Sequence, residues 1–152
     1  MPTASKMVAA VMIALTMFLA AEAAKAGLPE GRPAGYLSPI VAGIGFLCGW
    51  TILGTLTGNG YKASMGYKVS MGNGLRTAVT AVFWSLLAFA LWEMLQLSMK
   101  MRYDGPLDAL LGVLAIMVVY LKLVILPDVL VALGVGGTLS GLFAEWAGRR
   151  WN

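Results

Sequence analysis

Five stretches of this chain, 7–24, 40–56, 77–97, 107–126 and 129–146, are apolar and almost free of charge. Runs of that kind leave few ways to fold. About 30 Å of hydrocarbon is crossed by roughly 20 helical residues, with about 17 as the lower limit. Inside a bilayer each backbone N–H and C=O must find its partner within the segment, which makes every such run a helix. The chain as a whole agrees: 59% of its 152 residues are hydrophobic and 12% are charged. That is about half the charged share of a soluble domain, and the mean hydropathy is +0.80. The expected fold is therefore all-α, a polytopic transmembrane helical bundle forming one integral membrane domain over residues 1–152. Of its five helical segments, four are clear spans and 107–126 is open to a second reading.

In that fourth segment Asp108 and Lys122 confine the charge-free part to 109–121, a length that also suits a re-entrant or interfacial helix. Pro127 lacks an N–H and suits a first helical turn. A tight turn at Leu126-Pro127-Asp128 between antiparallel helices is expected. The first segment, with Lys6 before it and Ala24-Lys25-Ala26 after it, imitates a signal peptide. Its length favours an uncleaved first span.

The distribution of cations gives two topologies. With four spans and the N-terminus inside, Lys6, Lys62, Lys68, Arg76, Arg149 and Arg150 face the cytoplasm, and Lys25, Arg32, Lys100 and Arg102 face out. With five spans the N-terminus lies outside, and Lys25, Arg32, Lys100, Arg102, Arg149 and Arg150 lie inside. Both place the C-terminus in the cytoplasm.

Composition removes several kinds of chemistry. With no histidine there is no Ser-His-Asp relay, no histidine-held zinc, and no histidine-ligated haem or bacteriochlorophyll. Cys48 is the single thiol, so no intrachain disulfide or C-x-x-C redox pair can form. In apolar surroundings it is expected to be inert. The net charge of +4 suits anionic headgroups, and no basic cluster points to nucleic acid. Ten methionines invite a soft-metal reading, but Met7, Met12 and Met17 are five apart and rotate around their helix. No nucleophile–base pair, phosphate-binding glycine motif or metal spacing is present. No cofactor, metal or enzymatic activity is expected.

Two features bear on packing and binding. Gly45-x-x-x-Gly49 and Gly137-x-x-x-Gly141 each put small residues on one helix face, where another backbone can approach closely. The partner helix belongs either to a second copy or to this same chain. Glu22, Glu93 and Glu145 fall in the last turns of their segments, two of them beside Trp92 and Trp146. A carboxylate at membrane depth is a functional candidate by default. Glu22 and Glu93 end segments that run the same way, so they share one face with Lys25, Arg32, Lys100 and Arg102; with five spans Glu145 joins them. The candidate polar or ion cluster is Glu22, Glu93, Arg102, Asp104 and Glu145, a site for a small cation, a proton or an oxyanion. The alternative is interfacial salt bridging within an aromatic belt.

Between the second and third segments, residues 58–74 read GNGYKASMGYKVSMGNG, a tandem Gly-Tyr-Lys-x-Ser-Met bracketed by Gly-Asn-Gly. A period of six fits neither helix nor strand, and Gly-Asn-Gly forms turns. This is expected to be an interfacial loop, with Tyr61, Lys62, Tyr67 and Lys68 among headgroups.

Several strings occur in order along the chain: Met1-Pro2-Thr3-Ala4-Ser5-Lys6, Leu28-Pro29-Glu30-Gly31, Gly45-Phe46-Leu47-Cys48-Gly49-Trp50 and Asn73-Gly74-Leu75. Val82-Phe83-Trp84, Met101-Arg102-Tyr103-Asp104-Gly105-Pro106 and Ala144-Glu145-Trp146 with Arg149-Arg150-Trp151 complete the set. In this order and spacing the chain resembles the TrgA family, small inner-membrane proteins of alphaproteobacteria linked to tellurite resistance. Two departures are visible: residues 109–121 are wholly apolar where the family carries more acidic residues, and the loop before the third segment is longer by about one hexapeptide. The resemblance implies a non-enzymatic inner-membrane protein linked to tellurite resistance, with no catalytic residues to carry over. The alternative is an accessory subunit of a larger respiratory or photosynthetic membrane complex. Expected partners are membrane lipids and either further copies of the chain or such a complex.

Overall fold

The structure is a computed structural model that describes residues 4–27, 35–57, 67–99 and 105–151. The described chain is helical: α1 (Ala4–Lys25), α2 (Leu37–Cys48), a π-helical turn (Gly49–Leu53), α3 (Gly54–Thr57), α4 (Tyr67–Met99), α5 (Pro106–Val124) and α6 (Pro127–Trp151). α2, the π turn and α3 form one continuous rod, because Gly49 and Gly54 at its joints keep right-handed helical angles. Four helices are long and apolar enough to cross a membrane: Lys6–Lys25, Leu37–Leu56, Lys68–Met99 and Pro127–Arg150. The apolar part of α5, Leu110–Val124, is shorter. The multi-pass helical bundle read from the sequence is what the chain forms.

Hydrophobicity does not decide which face turns inward, because lipid is as apolar as a protein core. Small side chains make up much of the buried faces, with Ile13, Met17 and Leu86 filling the gaps between them. α1 buries Ala9, Ala10, Ala20 and Ala21 and exposes Met7, Val11, Leu15, Phe18 and Leu19. α4 buries Ser70, Thr77, Ala78, Ala81 and Ser85 and exposes Val79, Phe83, Trp84 and Leu91. α6 buries Ser140, Ala144 and Ala147 and exposes Leu139, Phe143 and Trp146. Small residues at three- and four-residue spacing let the backbones approach, and dispersion then holds the helices together.

The rods pair as two hairpins. In the first, α1 and α2 are antiparallel: a Cβ on Gly45 would meet Met17 Cγ at 2.7 Å, one on Gly49 would meet Ala10 Cα at 2.8 Å, and one on Gly54 would meet Lys6 Cγ at 2.8 Å. In the second, partners along α4 descend in number as α4 ascends. Ser70 meets Gly141, Gly74 meets Gly137, and Phe89 and Glu93 meet Tyr120. α5 and α6 therefore both run antiparallel to α4, one after the other. The hairpins join mainly through α1 and α6, which are themselves antiparallel, since Thr16 faces Ser140 and Gly27 packs against Leu126.

Two expectations need correction. The tight reversal at Leu126-Pro127-Asp128 is a kink instead. Ile125 keeps right-handed angles (φ −74°, ψ −9°), and Leu126 N–H donates to Leu123 O at 3.3 Å in place of the donor that Pro127 lacks. Second, the repeat is not loop throughout: α4 starts at Tyr67 and runs through Gly72-Asn73-Gly74. Glycine costs about 1 kcal/mol in a helix, but here Gly74 is where α6 comes closest, and packing outweighs propensity. Tyr67 opens this helix and Lys68 is exposed in its first turn; Tyr61 and Lys62 lie outside the described residues. Of the two partners open to the glycine pairs, it is this same chain that both meet. Gly45 and Gly49 face α1, and Gly137 and Gly141 face α4.

Candidate functional site

The polar groups form separate stations. At the end of α1, Lys25 Nζ donates to Glu22 Oε1 at 2.6 Å, an i,i+3 pair on one helix face. The buried Ser38 hydroxyl, in the first turn of α2, donates to the same oxygen at 2.6 Å. Glu22 thus ties the two helices of the first hairpin together. On the second hairpin, the Tyr120 hydroxyl donates to Glu93 Oε2 at 2.8 Å, and the tyrosine ring lies 6.2 Å from that of Phe89. On α6, Arg149 Nε donates to Glu145 Oε1 at 2.9 Å, an i,i+4 pair, and the Arg150 guanidinium lies 5.5 Å from the centre of the Trp146 ring.

Direction separates these stations. α1 and α4 run the same way, so Glu22 and Glu93 lie toward one end of the bundle, as the sequence implied. α6 runs the opposite way, and Glu145 lies at the other end with Lys6 and Lys68; the five-span grouping of all three carboxylates is not what forms. Arg102 and Asp104 lie outside the described residues. Among the described residues no group of three or more His, Cys, Asp or Glu side chains converges.

The interior carries a polar seam that the sequence reading missed. The hydroxyls of Thr16 and Ser140 lie 3.1 Å apart between α1 and α6, both buried. Each also donates to its own helix, Thr16 to Met12 O at 2.9 Å and Ser140 to Gly136 O at 2.6 Å. Two protons serve three contacts, so the pair is a shared hydrogen bond rather than a fixed one. Across the second hairpin Ser70 donates to Gly141 O at 2.7 Å. Among the described residues every buried side-chain polar atom has a partner, as lipid surroundings require. Replacing Thr16 with valine is expected to cost roughly 0.6 kcal/mol and at most ~1.7, because Ser140 keeps its bond to Gly136. Unfolding of the purified protein in mixed micelles would measure it.

An apolar cleft, open on one side and enclosing about 70 Å³, lies where the two hairpins meet near the α5–α6 kink. Ala24, Leu37, Val82, Phe89, Tyr120 and Leu123 are among its walls. Ser85 also lines it, but its hydroxyl donates to Ala81 O at 2.8 Å. Glu22 and Glu93 each belong to a helix that borders this cleft, yet each is held by another side chain. Cys48 is buried in the core formed with Ala9, Ile13, Met17 and Val41.

The chain matches no protein-family model, no curated protein and no solved structure.

Proposed function

We propose that this chain is a membrane protein of the TrgA type that supports resistance to tellurium oxyanions without performing chemistry on them. The observation that carries the reading is the order and spacing of its short strings from Met1 to Trp151, above all Met101-Arg102-Tyr103-Asp104-Gly105-Pro106 and Glu145-Trp146 with Arg149-Arg150-Trp151. The separate pairing of Glu22, Glu93 and Glu145 favours an indirect role over a shared oxyanion or cation site. The membrane would be the bacterial inner membrane. Lys6, Lys68, Arg149 and Arg150 lie toward one end of the bundle, and the positive-inside preference assigns that end, with both termini, to the cytoplasm.

The test is a strain lacking the gene and complemented with variants. Wild type is expected to restore growth on tellurite, and Glu22→Gln, Glu93→Gln and Arg102→Gln are expected to restore it equally at matched protein level. Loss of resistance in Glu93→Gln and Arg102→Gln together would restore a direct oxyanion site. Failure of the wild type would remove the tellurite assignment.

A second reading, an accessory subunit of a larger membrane complex, is favoured by the surface of α5. Leu107, Leu110, Leu111, Leu114 and Val118 are all more than half exposed. Mild detergent extraction then yields the chain at the mass of a large assembly, and migration as a small free particle counts against it.

A further inference from the structure

The cleft between the two hairpins has the properties of a site for one hydrocarbon chain. Its walls come from α1, α2, α4, α5 and α6, and most lie within the four apolar spans, so its surroundings are lipid and not water. The enclosed part of the cleft is only about 70 Å³ and one side is open, so a guest would lie along the apolar walls with part of its length in the surrounding lipid. Apolar walls with nothing lying against them forfeit dispersion contacts on their open side.

The polar atoms at the cleft select among apolar guests. It offers two hydroxyls, and both protons are committed, Ser85 to Ala81 O and Tyr120 to Glu93. A quinone ring would bring carbonyls that need donors and would find neither hydroxyl free to donate. A saturated acyl chain needs none. Lys122 is exposed one residue before Leu123, and Lys25 follows Ala24; both Leu123 and Ala24 are cleft walls. The packing of Gly27 against Leu123 and Leu126 brings these two helix ends to one level. Lys25 is occupied by Glu22, and Asp128 lies exposed in the first turn of α6. Charges of both signs thus stand next in sequence to the cleft walls Ala24, Leu123 and Val129, and a phospholipid headgroup likewise carries a phosphate and an amine.

We infer that the cleft binds one acyl chain of a phospholipid, with the headgroup phosphate at Lys122. The inference requires only that the chain lie in a membrane and is independent of tellurite. It goes beyond the unspecific lipid contact made by the large side chains on the outer faces.

Native mass spectrometry of the protein extracted from its membrane, taken through repeated detergent exchange, tests this directly. Wild type is expected to retain one phospholipid per chain. Ala24→Phe and Val82→Trp, each filling the cleft from a different helix, are expected to lower that occupancy at least tenfold. Lys122→Gln is expected to lower it severalfold. Leu114→Trp, on the exposed face of α5 away from the cleft, is expected to leave it unchanged. Circular dichroism and a monodisperse elution profile confirm that each variant is folded. Equal occupancy in wild type and both filled variants, no retained lipid in wild type, or a retained quinone would each overturn the inference.

Discussion

Replacing Gly74 with leucine is expected to take α4 and α6 apart and leave little folded protein in the membrane. At Gly74 a Cβ would fall inside the radius of the Gly137 carbonyl oxygen, 2.7 Å from Gly141 N and 2.9 Å from Gly141 Cα. All three are backbone atoms and none can rotate aside. The contact is reciprocal, since a Cβ on Gly141 would lie 2.8 Å from Ser70 C, and the same approach carries the hydrogen bond from Ser70 to Gly141 O. Alanine at Gly74 costs about 1–3 kcal/mol by overpacking, and leucine more. Gly72, two residues away on the same helix, has open space around it. Gly72→Ala is expected to be neutral or to stabilise by up to ~1 kcal/mol through helix propensity. Yield and thermal unfolding in detergent separate the two sites. Equal behaviour at Gly72 and Gly74 would mean that α4 and α6 do not pack through this seam.

Both ends of the chain are expected to report the same side of the membrane. α1 is antiparallel to α2 and to α6, Lys6 packs beside Gly54, and α3 touches α6. α5 does not add a crossing, because it runs in the same direction as α6 and only the kink at Pro127 separates them. Fusions at the N- and C-termini to a fluorescent protein, which matures in the cytoplasm, and to a phosphatase, which is active outside it, give an all-or-none reading. The expected result is fluorescence at both ends and phosphatase activity at neither. Opposite readings at the two ends would require α5 to cross the bilayer separately. α4, at about 50 Å for its 33 residues, exceeds ~30 Å of hydrocarbon. The α4–α5 end of the second hairpin must therefore tilt strongly or emerge from the hydrocarbon layer.

The spans could be read from the sequence because length and apolarity alone define them; the run 7–24 corresponds to a helix from Ala4 to Lys25. The contacts Glu22–Lys25 and Glu145–Arg149 were also visible as i,i+3 and i,i+4 spacings. Ser38 and Tyr120, the other partners of the carboxylates, stand 16 and 27 residues away, where no local spacing points to them. The start of α4 was hidden by its composition. Gly72-Asn73-Gly74 has the residues of a turn, and only the series Ser70, Gly74, Thr77, Ala81, Ser85 shows the period of a helix face built from small side chains. Pro127 is equally compatible with a reversal and with a kink, so the direction of α5 relative to α6 depended on tertiary contacts. That direction decides where Glu145 lies, and with it whether the three carboxylates form one group.

The π turn in the second span sets where this chain can change its length. The Gly54 N–H donates to Gly49 O, five residues back, so the turn contains one residue more than an α-helical turn. Gly49 and Gly54 both meet α1 in spite of that extra residue. Losing one residue between them would leave a four-residue spacing and an ordinary helical turn, with both glycines still facing α1. The same loss inside α1 or α4 would rotate everything beyond it by about 100° and turn large side chains into the seam. The turn at Gly49–Leu53 is thus the one described place in these spans where a single-residue deletion preserves the helix register.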